Sequence, residues 1–197
     1  MPRVDEASAW CSTTPTLGGA GCREAGPARY HPVMPASATT TGIHIRTAST
    51  PADFALAREL FLEYSAQLRV DLCFQKFDEE LTRLPEMYGA PAGRLLLAES
   101  AEGPIGCVGI RALTSMPGTS EMKRLYVRTT GRGQGTGRAL AEASIAVARE
   151  LGYSRVVLDT LDTMTTALAL YADLGFRDIE PYYPNPNAGV RYLGLAC

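Results

Sequence analysis

The run Gly131-Arg-Gly-Gln-Gly-Thr-Gly137 is the strongest chemical signal in the chain. It follows an apolar stretch, Leu125-Tyr126-Val127, and opens an amphipathic one that places Leu140, Ser144, Val147 and Leu151 on one helical face. Glycine here allows positive φ and lets a ligand approach the main chain. The first amides of the following helix have no internal partner and carry the positive end of its dipole. A strand feeding glycines into a helix start is therefore a cradle for an anion, above all a phosphate. Spacing excludes two phosphate binders. No Lys follows the glycines, as an ATP-type loop requires, and the GxGxxG dinucleotide fingerprint fails in every register.

The spacing that fits is Arg132-x-x-Gly135-x-Gly137. It resembles the acetyl-coenzyme A signature of the GNAT superfamily, the Gcn5-related N-acetyltransferases. A second hallmark of that family, Leu-Tyr-x-x-x-Gly-Phe, matches Leu170, Tyr171, Gly175 and Phe176. The resemblance covers residues 42–197. It implies an α/β (α+β) GNAT fold with a mixed sheet of about six or seven strands, helices on both faces and two splayed parallel strands. It further implies acetyl-CoA as co-substrate, attacked directly by a primary amine in a ternary complex, with no metal. Leu125, Tyr126 and Val127 would pair with the pantetheine arm. Amides from Gly133, Gln134, Gly135, Thr136, Gly137 and Arg138 would hold the pyrophosphate, with added charge from Arg132 and Arg138. Tyr171 matches the family's usual acid: a thiol titrates near about 8.5 and a phenol near about 10, so a neutral phenol can meet a nascent thiolate. Glu121 occupies the place of a base used by some members, and its strand parity is expected to match Lys123, Leu125 and Val127.

Plainer readings stand beside these. Met164, Ala167, Leu168, Tyr171 and Leu174 share a helical face, so Tyr171 also reads as core, and Glu121 as a structural carboxylate. The family's frequent Asn falls on Met164, so that contact does not carry over. For the acceptor, a small-molecule amine or a peptide, the candidates are Tyr64, Phe74, Phe77, Arg111, Tyr182, Tyr183 and Asn185. The aromatics form a wall with hydroxyl handles, and Arg111 suits a carboxylate. Tyr182 and Tyr183 equally read as anchors of a proline-rich loop. A non-catalytic acyl-CoA sensor that keeps the cleft is the alternative function.

These residues need a frame. An alternating strand at Ile43–Arg46 leads to Ser49-Thr50-Pro51, a helix start, and a helix to Leu68. A short helix from Asp78 to Leu84 is expected to stop before Pro85. Leu95–Ala98 and Gly106–Ile110 read as a hairpin, followed by a strand at 121–128, a helix closed by Gly152, a strand at Arg155–Asp159, the helix bearing Tyr171, and strands at 176–179 and 190–195.

The first 41 residues, rich in Ala, Thr, Pro, Gly and Ser, lack either periodicity and read as a disordered extension. The 197 residues otherwise suffice for one domain. A net charge of −2 offers no general match to nucleic acid. The 5 cysteines form no CxxC or His/Cys cluster, which points away from zinc or a disulfide framework and toward a reducing, cytoplasmic setting. No apolar run approaches a membrane span. A homodimer is compatible with the resemblance but is not legible in the residues.

Overall fold

The computed structural model describes residues 42–68 and 76–197, so the expected N-terminal extension and Phe74 lie outside the described residues. Strand β1 (His44–Thr47) leads into helix α1 (Pro51–Leu68). The start of α1 is a reciprocal cap. Thr50 Oγ1 accepts from the Asp53 N–H at 3.2 Å, while Asp53 Oδ2 accepts from the Ser49 and Thr50 amides, each at 2.9 Å. Pro51 takes the first helical position, where its missing N–H costs nothing. The short helix expected from Asp78 to Leu84 is instead two, α2 (Phe77–Thr82) and α3 (Leu84–Tyr88). Pro85 falls in the first turn of α3 and begins a helix rather than ending one, because a first-turn residue has no helical N–H bond to lose.

The remaining elements are β2 (Arg94–Ser100), β3 (Gly103–Ala112), β4 (Thr119–Val127), α4 (Thr136–Glu150), β5 (Arg155–Leu161), α5 (Thr165–Asp173), β6 (Arg177–Asp178) and β7 (Val190–Ala196). They build a seven-stranded sheet in the order β1-β2-β3-β4-β5-β7-β6. Only β4 and β5 run parallel. One face carries Leu140 and Ala148 of α4 with Val156, Leu158, Tyr171 and Phe176. The other carries Leu60 and Phe61 of α1 with Tyr88, Leu97, Cys107 and Tyr126.

Helices α4 and α5 end alike. The Tyr153 amide donates to the Ala148 carbonyl and the Gly152 amide to Arg149; the Phe176 amide donates to the Tyr171 carbonyl and the Gly175 amide to Ala172. Both are Schellman closures around a left-handed glycine, with φ 82° at Gly152 and 94° at Gly175. At the second, the residues brought together are Tyr171 and Phe176, whose rings meet edge-on at 5.6 Å.

A bulge interrupts β4. Cys107 pairs with Tyr126 and Gly109 with Lys123, so two steps on β3 face three on β4. The extra residue places Arg124 at φ 58°, in the left-handed region. Parity therefore reverses: Glu121 and Lys123 share a face with Tyr126, whereas Leu125 and Val127 pack on the α4 side. The expectation that Glu121 aligns with Leu125 and Val127 is corrected by that one residue.

Arg124 is held by a buried pair with Glu80 of α2, its Nε at 3.1 Å from Oε1 and a terminal nitrogen at 2.6 Å from Oε2. Their side chains are 3% and 2% exposed. Tyr88 of α3 donates to Glu80 at 2.6 Å, and the Phe77 ring lies 5.0 Å from the guanidinium. Burial alone would push the Glu80 carboxyl up; hydrogen bonds and charge from Arg124 outweigh it and hold it below the ordinary range. Gly109, opposite the bulge, leaves room for Tyr88, because a Cβ there would collide with its ring.

Removing either partner leaves the other charge buried. Glu80→Ala and Arg124→Ala are each expected to lower unfolding free energy by about 3–5 kcal/mol in urea titrations, and the double substitution Glu80→Leu/Arg124→Met by clearly less than their sum. Additive losses would show that the pair is not coupled.

Candidate active site

Pairing between β4 and β5 stops at Glu121, just ahead of the bulge. Their parallel register joins Thr119 to Arg155, Ser120 to Val156 and Glu121 to Val157, and no later pair exists. The opening holds a cleft of about 720 Å³ that runs from Leu125 and Val127 past Gly133 and Gly135 to Thr166 and Leu170. A smaller cavity of about 90 Å³ adjoins it and contains Lys123, Asp159, Tyr171 and Asn185. Tyr64, Leu125, Met164 and Ala167 line both, so the two are continuous along the fork.

The glycine run forms the outer end. A 3-10 turn, Thr129–Gly131, precedes it. Gly135 caps α4 at φ 81°, and a Cβ on it or on Gly133 would meet nothing within 4 Å. The loop surface there is bare backbone. The first helical bond of α4 runs from the Ala139 amide to the Gly135 carbonyl, which leaves the amides of Thr136, Gly137 and Arg138 ahead of the ladder. Thr136 Oγ1 donates to the buried Gly131 carbonyl at 2.7 Å, and the Gln134 side chain donates to the Thr130 carbonyl at 2.9 Å. These bonds hold the turn against the helix start.

The two arginines expected beside the phosphates point elsewhere. Arg132 donates to the Val127 carbonyl at 3.0 Å and to Gln67 of α1 at 2.7 Å. Arg138 pairs with Asp173 at 2.9 Å and with Glu142 at 3.7 Å. Tyr126 turns away from the cleft's α4 side, accepting from Gln67 at 2.8 Å and donating to Glu63 at 3.3 Å. Arg128 completes this ladder by pairing with Glu63 at 2.6 Å.

Tyr171 lies at the inner end. Its hydroxyl opens on the smaller cavity and, among the described residues, takes part in no protein hydrogen bond. Burial, then the charges of Tyr64 and Asp159, raise its phenol above the ordinary value. Tyr64 behaves similarly, pushed up to about 12, first by burial.

Glu121 lines neither cavity. Its Oε2 accepts two N–H groups of Arg111 at 2.9 and 2.7 Å, its Oε1 accepts from the Tyr182 hydroxyl at 3.1 Å, and Lys123 stands 3.4 Å away. Arg111 is thereby committed to Glu121. Phe77 packs under Arg124 and stays outside both cavities. Tyr182, Tyr183 and Tyr192 form a triangle of rings with centroids 5.2–5.7 Å apart. Asn185 donates to the Tyr183 hydroxyl at 3.1 Å and to Asp159 at 3.4 Å. Of the acceptor candidates, the fork thus gathers Tyr64 and Asn185, with Tyr183 behind Asn185. Asp159 and Lys123 were missed as site residues. The available signal was a carboxylate at the end of the apolar run Val156-Val157-Leu158.

This fold and loop match known proteins. The sequence model of the acetyltransferase (GNAT) family matches residues 57–176. The chain belongs to the GNAT family of acetyltransferases. An uncharacterized N-acetyltransferase of Schizosaccharomyces pombe is 41% identical over 156 residues, covering 79% of this chain and 95% of that one. An acetyltransferase structure from Streptococcus agalactiae superposes with a TM-score of 0.64 at 21% identity, covering 80% of this chain and 99% of the other. A GNAT acetyltransferase of Elizabethkingia anophelis, solved with acetyl-CoA bound, gives a TM-score of 0.52 at 22% identity over 80% of this chain and 99% of that one. In the GNAT domain described here, no helix among the described residues is long and apolar enough to cross a membrane.

Thr136→Val leaves the buried Gly131 carbonyl without its donor. The variant is expected to lose about 1–3 kcal/mol of stability and to exchange its amides faster from Gly131 to Thr136. Unchanged exchange there would show that the bond does not hold the loop.

Proposed function

We propose that residues 42–197 form one acyltransferase domain that moves an acetyl group from acetyl-CoA to a primary amine in a ternary complex. The observation that carries this reading is the continuity of the fork: a bare helix N-terminus at one end, two unpaired strand edges between, and a buried phenol at the other. The acetyl-CoA bound in the Elizabethkingia anophelis relative supports the choice of co-substrate.

In this reading the amides of Gly133 to Arg138 hold the pyrophosphate, and the free edges of β4 and β5 hold the pantetheine arm. The thioester then reaches the inner cavity. The amine lone pair attacks the carbonyl carbon, forming the C–N bond. The C–S bond breaks, the nitrogen gives its proton to solvent water, and the leaving sulfur takes the proton of Tyr171, which solvent then restores. A phenol is protonated at neutral pH and can donate as the C–S bond breaks; burial makes this one a weaker acid, which favours a hydrogen bond held until charge has developed on the sulfur. A backbone N–H of β4 near Val127 is the candidate donor to the oxyanion. Glu121, with both oxygens engaged, is better placed to fix Arg111 and Tyr182 than to take a proton. Cytoplasmic residence accords with free thiols and a thioester co-substrate.

Calorimetric titration with acetyl-CoA, followed by thiol release over pooled amines, tests the reading. Binding with release above the hydrolysis background is expected; absence of binding overturns it, and binding without release on any amine favours a sensor. Gly135→Glu puts a carboxylate where the pyrophosphate sits and is expected to abolish acetyl-CoA binding. Gly135→Asn, which tolerates left-handed φ without charge, retains it. Equal binding by both variants would remove the cradle. Tyr171→Phe is expected to lower turnover on the order of 10²-fold with acetyl-CoA affinity unchanged. A wild-type rate across the pH range would end the acid role.

A further inference from the structure

The inner cavity joins the two faces of the sheet. Tyr171 enters it from the α5 side. Asp159 follows Val157 on β5 with the same parity and therefore lies on the opposite side, among Lys123, Tyr183 and Asn185. Burial first, and then its charge among others, raises the phenols of Tyr64, Tyr171, Tyr182, Tyr183 and Tyr192.

Among the described residues, Asp159 is the only carboxylate that lines either cavity. Lys123 stands 3.2 Å from Oδ1 and Asn185 3.4 Å from Oδ2, and the Tyr183 hydroxyl also bonds it. Two carboxylate oxygens offer about four acceptor sites, so these three donors leave a place for one from the cavity. Glu121, one strand away, lines neither cavity.

We propose that Asp159 is the residue that receives the acceptor's ammonium group and, once that group has given one proton to solvent, holds the neutral amine with its lone pair toward the thioester. Leu125, Leu158, Leu161 and Met164 line the same cavity and offer apolar contact to the carbon chain of the amine. This rests on the acetyl-CoA reading of the fork. It assigns the carboxylate facing the amine to β5 rather than to Glu121 on β4.

Two thioethers test it without knowledge of the natural acceptor. S-ethyl-coenzyme A fills the cofactor cleft, and S-aminoethyl-coenzyme A adds an ammonium just beyond the sulfur. The full-length wild-type chain is expected to bind the aminoethyl compound about tenfold more tightly, as a new bond to a charged group allows. Asp159→Asn should erase that preference and keep its affinity for the ethyl compound, which also shows that the variant is folded. Glu121→Gln should preserve the preference. If Asp159→Asn does not fold, Asp159→Ser serves for the same comparison. Equal wild-type affinities for the two compounds, a preference that survives loss of Asp159, or one lost with Glu121 alone would each overturn the assignment. Failure of the wild type to bind S-ethyl-coenzyme A would instead overturn the acetyl-CoA reading beneath it.

Discussion

The bulge at Arg124 is the constraint on which the site depends. A non-glycine residue at φ 58° costs roughly 1–3 kcal/mol, and the structure around it must over-determine that conformation. Glu80 does so from below, with Tyr88 and Phe77 closing the pair from solvent. A buried ion pair is weak evidence of net stability, because desolvation offsets most of its attraction. Its value here is geometric. The guanidinium reaches Glu80 from the bulged position, and β4 shares no pair with β5 from Met122 onward. Two short helices, remote in sequence from the glycine loop, thereby hold the bulged strand beside the fork.

The fork explains why one residue answers to two descriptions. Tyr171 sits in the last turn of α5, and its ring packs on Phe176 through the closure that Gly175 makes possible. It belongs to the core, and its burial is real. Burial also raises its phenol, and the open strands give its hydroxyl a cavity to face. Packing and the proposed chemistry do not compete here, because the packing fixes the ring whose hydroxyl would act at the cavity.

Legibility followed the range of the interactions. Helix α1 was readable from Ser49-Thr50-Pro51 to Leu68 because capping and periodicity are local. The glycine run and the closure at Gly152 were readable for the same reason, and strand order came with the family resemblance. What escaped was set by pairing across the sheet. One inserted residue at Arg124 reversed the expected parity of Glu121, and no property of the strand's own sequence marks which residue is inserted. The splitting of α2 from α3 turned on whether Pro85 falls before a helix or inside its first turn. Asp159 was visible as a carboxylate but not as a site residue, since only the separation of β4 from β5 opens space beside it. Arg132 and Arg138 were placed beside the pyrophosphate by the family resemblance. Their partners, Gln67 and Asp173, lie 65 and 35 residues away.

Arg132 shows how the cleft balances order against access. It bonds the Val127 carbonyl, an atom on the strand edge that a pantetheine amide would need. Any ligand strand pairing there must displace the guanidinium. The bond is solvent-exposed, so breaking it exchanges one acceptor for water at a net cost of about 0.5–1.5 kcal/mol, which a new backbone bond returns. The same side chain is tied to Gln67, and Gln67 to Tyr126, so the end of α1 is joined to the rim of the cleft. In the proposed reading, a displaced Arg132 would find a pyrophosphate beside the helix start. An exposed, exchangeable rim and a buried, over-determined bulge thus differ in kind: the bulge is fixed by a buried ion pair, and the rim covers the strand edge with bonds weak enough to yield.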